Sequence, residues 1–133
     1  MKVENPSYQD LKSQIKKLQE QVHYLNNIAD SARDSIYIIL PDLTVEYINQ
    51  YGYQRLQLPK EKILGASIES LFPREIAKRQ IQNIQSVFKK GEPEELVTKS
   101  QYGDTMVWLD THFIPLKDEK GNTVKVMSIS RNV

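Results

Sequence analysis

The sequence contains no cysteine, so disulfides, thiolate catalysis and cysteine-held zinc or iron–sulfur centres are excluded. Its two histidines, His23 and His112, lie far apart in the chain, which argues against a dedicated zinc site. No apolar run approaches the roughly 20 residues needed to cross a bilayer. The N-terminus also lacks the basic-then-apolar pattern of a secretory signal. The chain therefore reads as soluble and cytoplasmic, any membrane anchor being left to a longer parent protein. Neither sign of charge is in excess: charged residues form 26% of the chain and the formal net charge is +1. That balance gives no electrostatic footprint for nucleic acid or an anionic membrane. Pairs such as Lys16-Lys17 and Lys89-Lys90 read as solvated faces. There is no GxSxG elbow and no glycine-rich phosphate loop.

What is present divides the 133 residues into an accessory element and one domain of about 100 residues. A domain of that size buries a working core with modest stability. The accessory element is residues 1–32 and the domain residues 33–133. Leu11, Ile15, Leu18, Val22, Leu25, Ala29 and Ala32 recur at alternating spacings of four and three, with Gln, Lys and Glu between them. This repeat keeps one apolar seam on one helix face, as in a coiled coil. The expected helix runs from 6 to 32, with Pro6 in its first turn and Asn5 as cap. Ile15 and Val22 fall at the first core position and Leu11, Leu18 and Leu25 at the second, a pattern that favours parallel pairs. The other reading stays open: Leu25, Ile28, Ala29 and Ala32 form a broader face suited to packing on the chain's own domain.

From Ser35 the pattern becomes strand-like. SIYIIL ends at the turn signal Pro41-Asp42, TVEYI follows, and the two form an expected hairpin. Asn49 can cap a short helix, and Gly65 and Pro73 punctuate further turns. Residues 74–90 make the next clear helix, with Ile76, Ala77, Ile81, Ile84, Val87 and Phe88 on one side and Gly91 at its end. Leu96 to Gln101 and Thr105 to Leu116 flank Tyr102-Gly103-Asp104, a tight-turn signal, and Thr123 to Arg131 follows Lys120-Gly121-Asn122. Val107, Leu109, Thr111 and Phe113 alternate with Trp108, Asp110, His112 and Ile114. The first set should face the core and the second the outer side. Two strands, several helices and three strands specify an α+β domain on a five-stranded antiparallel sheet.

The stretch WLDTHFIPLKDEKGNTVKVMSISRNV resembles the C-terminal half of PAS domains, with Trp108, Pro115, Asp118, Gly121 and Arg131-Asn132-Val133 at the family's marked positions. SIYIILPDLTVEYIN resembles the opening hairpin, with Asn49 at the capping asparagine, and KILGASIESLFP is similar to the family's glycine-then-Leu-Phe-Pro segment. Residues 30–133 carry these motifs in the family's order. One position departs from the pattern: Asn132 stands where the family usually has an aspartate that couples the sheet to an output helix. Asn132 and Arg131 are the expected signal-coupling residues. The resemblance implies a fragment of a larger regulator, with a covalently linked kinase, cyclic-nucleotide enzyme or DNA-binding effector.

It also implies a small-molecule site between sheet and helices. By the alternation, Leu109, Thr111 and Phe113 line any such pocket; by resemblance Tyr37, Ile39 and Ser128 join them. Ile84 and Phe88 of the long helix, with Phe72, complete the set. Light-sensing flavin members use a cysteine, so that photochemistry is excluded here. Haem-sensing members use a histidine on the long helix, and residues 74–90 have none. A non-covalent flavin, a fatty or organic acid, and an empty packed core stay open. Asp110 and His112 share a strand face without a nucleophile or oxyanion donor, so the chain reads as a signalling module, not an enzyme. The expected homodimer uses Leu11, Ile15, Leu18, Val22, Leu25 and Trp108. The alternatives are a ligand-free dimerisation scaffold and, more remotely, a small hydrolase or isomerase.

Overall fold

The computed structural model describes residues 7–102 and 104–133. In chain order the elements are α1 (Tyr8–Ser31), β1 (Ser35–Ile39), β2 (Val45–Ile48), α2 (Gln50–Leu56), α3 (Lys60–Ile63), α4 (Ile68–Leu71), α5 (Arg74–Lys90), β3 (Glu94–Tyr102), β4 (Thr105–Lys117) and β5 (Thr123–Asn132). The sheet runs β2-β1-β5-β4-β3, with all pairs antiparallel. The last strand thus lies at the centre, beside the first. This is the expected α+β architecture.

In helix α1, Ser7 is the cap, its hydroxyl accepting the Asp10 N–H at 3.1 Å, so the helix begins at Tyr8. The expected Asn5 cap and Pro6 turn fall on residues 1–6, outside the described residues. No residue of α1 is buried. Leu11, Ile15, Leu18, Val22 and Leu25 are between 45% and 62% exposed. The broader face does not pack on the domain: Leu25 and Ile28 stand in solvent and only Ala29 and Ala32 are half-buried. The physical reason is direction, since α1 meets the domain chiefly through α2 at its C-terminal end.

The domain's core lies between the sheet and α5. Ala77, Ile84 and Val87 are buried, while Ile76, Ile81 and Phe88 pack half-buried beside them. Gly91 ends α5 at φ 68°, donating its N–H to the Val87 carbonyl at 2.8 Å; that left-handed conformation favours glycine. Leu109, Thr111 and Phe113 are buried and Trp108 is exposed, as alternation requires, whereas Val107 near the strand's open end is only half-buried. The β4–β5 hairpin is closed by Asp118, whose Oδ1 accepts the N–H groups of Lys120 and Asn122 at 2.9 Å each. The expected turn at Tyr102-Gly103-Asp104 includes Gly103, outside the described residues.

Candidate functional site

Strand register turns the inner face of the sheet into a grid. One row reads Glu94, Phe113, Ser128, Tyr37 and Ile48 across the strands, and the next reads Leu96, Thr111, Ser130 and Ser35. Phe113 and Ile84 are fully buried, and Tyr37, Ile39, Phe72, Leu109, Thr111 and Ser128 are at most 7% exposed. Phe88 is half-buried against the same cluster. Tyr37 meets Phe72 edge-on, with ring centroids 6.2 Å apart. The structure therefore brings the expected lining residues to one enclosed face, roofed by α4 and α5. Leu109 is buried but stands apart from the main cluster.

The second row is polar. Thr111 and Ser130 share a hydrogen bond of 2.8 Å. Beside Ser130 in register, the Ser35 hydroxyl is fully enclosed without a partner among the described residues. A buried hydroxyl without a bond costs about 1–3 kcal/mol, so such a group calls for water or a ligand. Among the described residues, those buried as a whole with polar side chains (Ser35, Asn49, Thr98, Ser100, Thr111, Ser128, Ser130) are all uncharged.

The outer face is open. Trp108 is 56% exposed, with Val97 and Met106 also exposed near it. Asp34, Asp110, His112, Ile114, Ile129 and Arg131 line a depression of about 260 Å³. His112 stands between two carboxylates, its Nε2 3.2 Å from Asp110 and its Nδ1 3.4 Å from Glu95. Both contacts are solvent-exposed, and no nucleophile adjoins them in that depression.

Helix α1 joins the domain at a hydrogen-bonded node. Asn49 is fully buried. Its Oδ1 accepts from Ile36 N and Gly52 N, each at 3.0 Å. Its Nδ2 donates to Ala29 O at 2.9 Å and Asp34 O at 2.8 Å. One amide thus fills all four of its bonds and ties α1, β1 and α2 together. Asp30 at the helix end accepts the Gln50 N–H at 2.9 Å. Burial, and then the Asp30 carboxylate, push the Tyr47 phenol up. Arg131 of β5 donates to both Asp34 oxygens at 3.1 Å, and that pairing holds its guanidinium charged, raised further above its usual range. Asn132, the other expected coupling residue, is exposed and makes no side-chain hydrogen bond among the described residues.

Sequence reasoning missed Asp34, Asp30, Ser35 and Ser130. Ser35 and Ser130 were within reach, since each lies two residues from an expected lining residue, Tyr37 and Ser128, on the same strand face. Asp34 carried no signal: its partner is 97 residues away.

The family model described as "PAS fold" matches residues 29–133. The methanogenesis regulatory histidine kinase FilI of Methanothrix harundinacea is 28% identical over 131 residues, 97% of this chain but 15% of that protein. The chain thus spans about a seventh of the curated relative it matches. Among solved structures, a sensory box sensor histidine kinase from Vibrio cholerae superposes with a TM-score of 0.65 at 19% identity, covering 90% of this chain and 98% of that one. VqmA bound to DPO, a Vibrio cholerae protein, gives 0.72 at 15% identity, covering 86% of this chain and 57% of that one. At these identities the structural likeness shows the fold alone.

Proposed function

The chain belongs to the PAS-fold family, and on that premise we propose that it is a sensory module of a larger cytoplasmic signal-transduction protein, regulatory and not catalytic. It holds a small molecule on the inner face of its sheet, pairs with a second copy through α1 and the outer sheet face, and passes a bias to a covalently linked output domain. The observation that carries this is the node at Asp34. There the end of α1, the start of β1 and the end of β5 meet through Asn49 and Arg131. A change on the inner face at Ser35 and Ser130 lies within a few residues of both chain connections. The relative's role as a regulatory histidine kinase and the DPO held by VqmA support the reading.

A ligand shifts such a module only by its differential affinity for two arrangements. The competing reading is a ligand-free dimerisation scaffold, favoured by the complete burial of Phe113, Ile84 and Val126. Denaturing the purified protein, extracting it and recording absorbance and mass spectra separates the two. A molecule recovered near one per chain supports the sensor. Recovery of none from a dimeric protein favours the scaffold.

A further inference from the structure

We propose that the molecule held on the inner face is small and uncharged, with one hydrogen-bonding edge against the row of hydroxyls and an apolar body under α5; this rests on the ligand-holding reading above. The inner face offers two kinds of surface side by side. Phe113 belongs to the carbon-lined half, with Ile84 above it, while Ser35, Thr111, Ser128 and Ser130 occupy adjacent rows of the grid, each at most 5% exposed. Hydroxyls both donate and accept, so they satisfy a carbonyl, an alcohol, an amide or a ring nitrogen equally well. Thr111 and Ser130 already bond one another, but Ser35 holds an enclosed oxygen with no partner among the described residues.

Charge is the discriminating property. Taking an ion out of water costs several kcal/mol and requires a buried counter-charge. Among the described residues no fully buried side chain is ionisable apart from the Tyr37 phenol, and half-buried Arg55 of α2, one of whose guanidinium nitrogens is enclosed, lies over the Tyr51 ring at 5.4 Å. Glu94 and Arg79 border the face. Glu94, half-buried in the same row as Phe113 and Ser128, accepts from the Ser86 hydroxyl at 2.5 Å and repels an anion. Arg79, exposed on α5, reaches only the Thr98 hydroxyl at the sheet's edge, at 3.4 Å. An organic acid, left open by the sequence, would bury its carboxylate away from Arg79 and beside Glu94. A cation would leave Glu94's position at the edge only by losing its water.

The test uses matched probes in saturation-transfer NMR on the intact chain: benzamide, benzoate and benzylamine, with isobutyramide, isobutyrate and isobutylamine. The expected result is binding of the amides, with each charged isostere at least about tenfold weaker. Thr111→Val and, as a milder variant, Ser128→Ala should each weaken amide binding about tenfold. Charged probes binding as well as the amides overturns the proposal and leaves the sensor reading intact. If no probe binds, the extracted native molecule decides, an uncharged one supporting the proposal and an ionised one overturning it. No binding probe and no extracted molecule sinks the sensor reading and this proposal together.

Discussion

Arg131 and Asp34 stand 97 residues apart in sequence, yet the guanidinium donates two parallel bonds of 3.1 Å to the two carboxylate oxygens. The pair joins the last strand to the connection between α1 and β1. Arg131 is 74% exposed in its side chain and Asp34 19%, so solvent screens the pair and little global stability rests on it. Its consequence is positional. We expect Arg131→Ala to leave the melting temperature nearly unchanged while amide exchange accelerates at Ser35, Ile36 and residues 131–133. The charge-reversed pair Asp34→Arg with Arg131→Asp should restore slow exchange. A large fall in melting temperature, or unchanged exchange at both ends, would show that the pair does not couple them.

Asn49 carries a different weight because it is enclosed. Replacing it with alanine removes four hydrogen bonds and leaves Gly52 N without that partner in a buried site, and Ile36 N, Asp34 O and Ala29 O in part-buried ones. Each unsatisfied group costs about 1–3 kcal/mol, partly relieved by entering water. The expected loss for Asn49→Ala is therefore about 2–4 kcal/mol in urea unfolding. Limited proteolysis should also cut α1 away from the domain earlier than in the native chain. A loss below about 1 kcal/mol would mean that water replaces the amide without penalty.

Gly52 is close to the same node. A Cβ placed there would lie 2.8 Å from Ile48 Cγ1 and 3.0 Å from Asn49 Oδ1. Ile48 is buried, so it yields only by disturbing the core. Gly52→Ala, ordinarily favourable in a helix, should here destabilise by about 1–3 kcal/mol. A melting temperature equal to or above the native value would contradict the packing described.

Much of this was legible in advance, and the reasons are local. Alternation along β4 placed Leu109, Thr111 and Phe113 inward because a half-buried strand has a period of two. The helix over 74–90 was bounded by Pro73 and Gly91, which act through their own backbones. The start of α1 was less legible because Ser7 and Asn5 are both competent cap types, and the Ser7 hydroxyl takes the Asp10 N–H. The node was visible only in part. Asn49 announced a helix cap, but its bonds to Ala29 and Asp34 depend on how α1 enters the domain. Arg131 and Asp34 meet only because β5 inserts beside β1, and no local pattern encodes that.

Asp42 provides a titration with a definite sign. Its Oδ1 accepts from the Thr44 hydroxyl at 2.5 Å and from Thr44 N at 3.1 Å. The hydroxyl bond, then the backbone bond, hold the carboxyl below the usual aspartate value. A folded-state pKa depressed in this way contributes stability above the unfolded value, and that contribution is lost as pH falls through the folded one. The β1–β2 turn should therefore stay closed across neutral pH and loosen only in acid. The Thr44 amide shift, followed by NMR, should titrate with a midpoint under the ordinary aspartate value. A midpoint at or above that value would mean the turn bonds do not favour the ionised form.

The exposed seam of α1 leads to the last prediction. A helix of 24 residues is about 36 Å long and leaves its apolar stripe in water unless something covers it. The positions flanking the seam are Lys12, Gln19 and Asn26 on one side and Gln14, Gln21 and Ile28 on the other. Apart from Lys12 they are uncharged, so a second copy meets no row of like charges, and self-pairing in parallel is unopposed. Trp108, the sole tryptophan, reports on the outer sheet face. Raising concentration through the dimerisation range should shift its emission to shorter wavelength as a partner covers it. Ile15→Lys with Leu18→Lys should produce a monomer in analytical ultracentrifugation, with Trp108 emission fixed at its solvent-exposed value. A dimer that survives the double substitution would place the contact on the sheet alone. Dimerisation of the native chain without any emission change would confine it to the helices and leave Trp108 outside the interface.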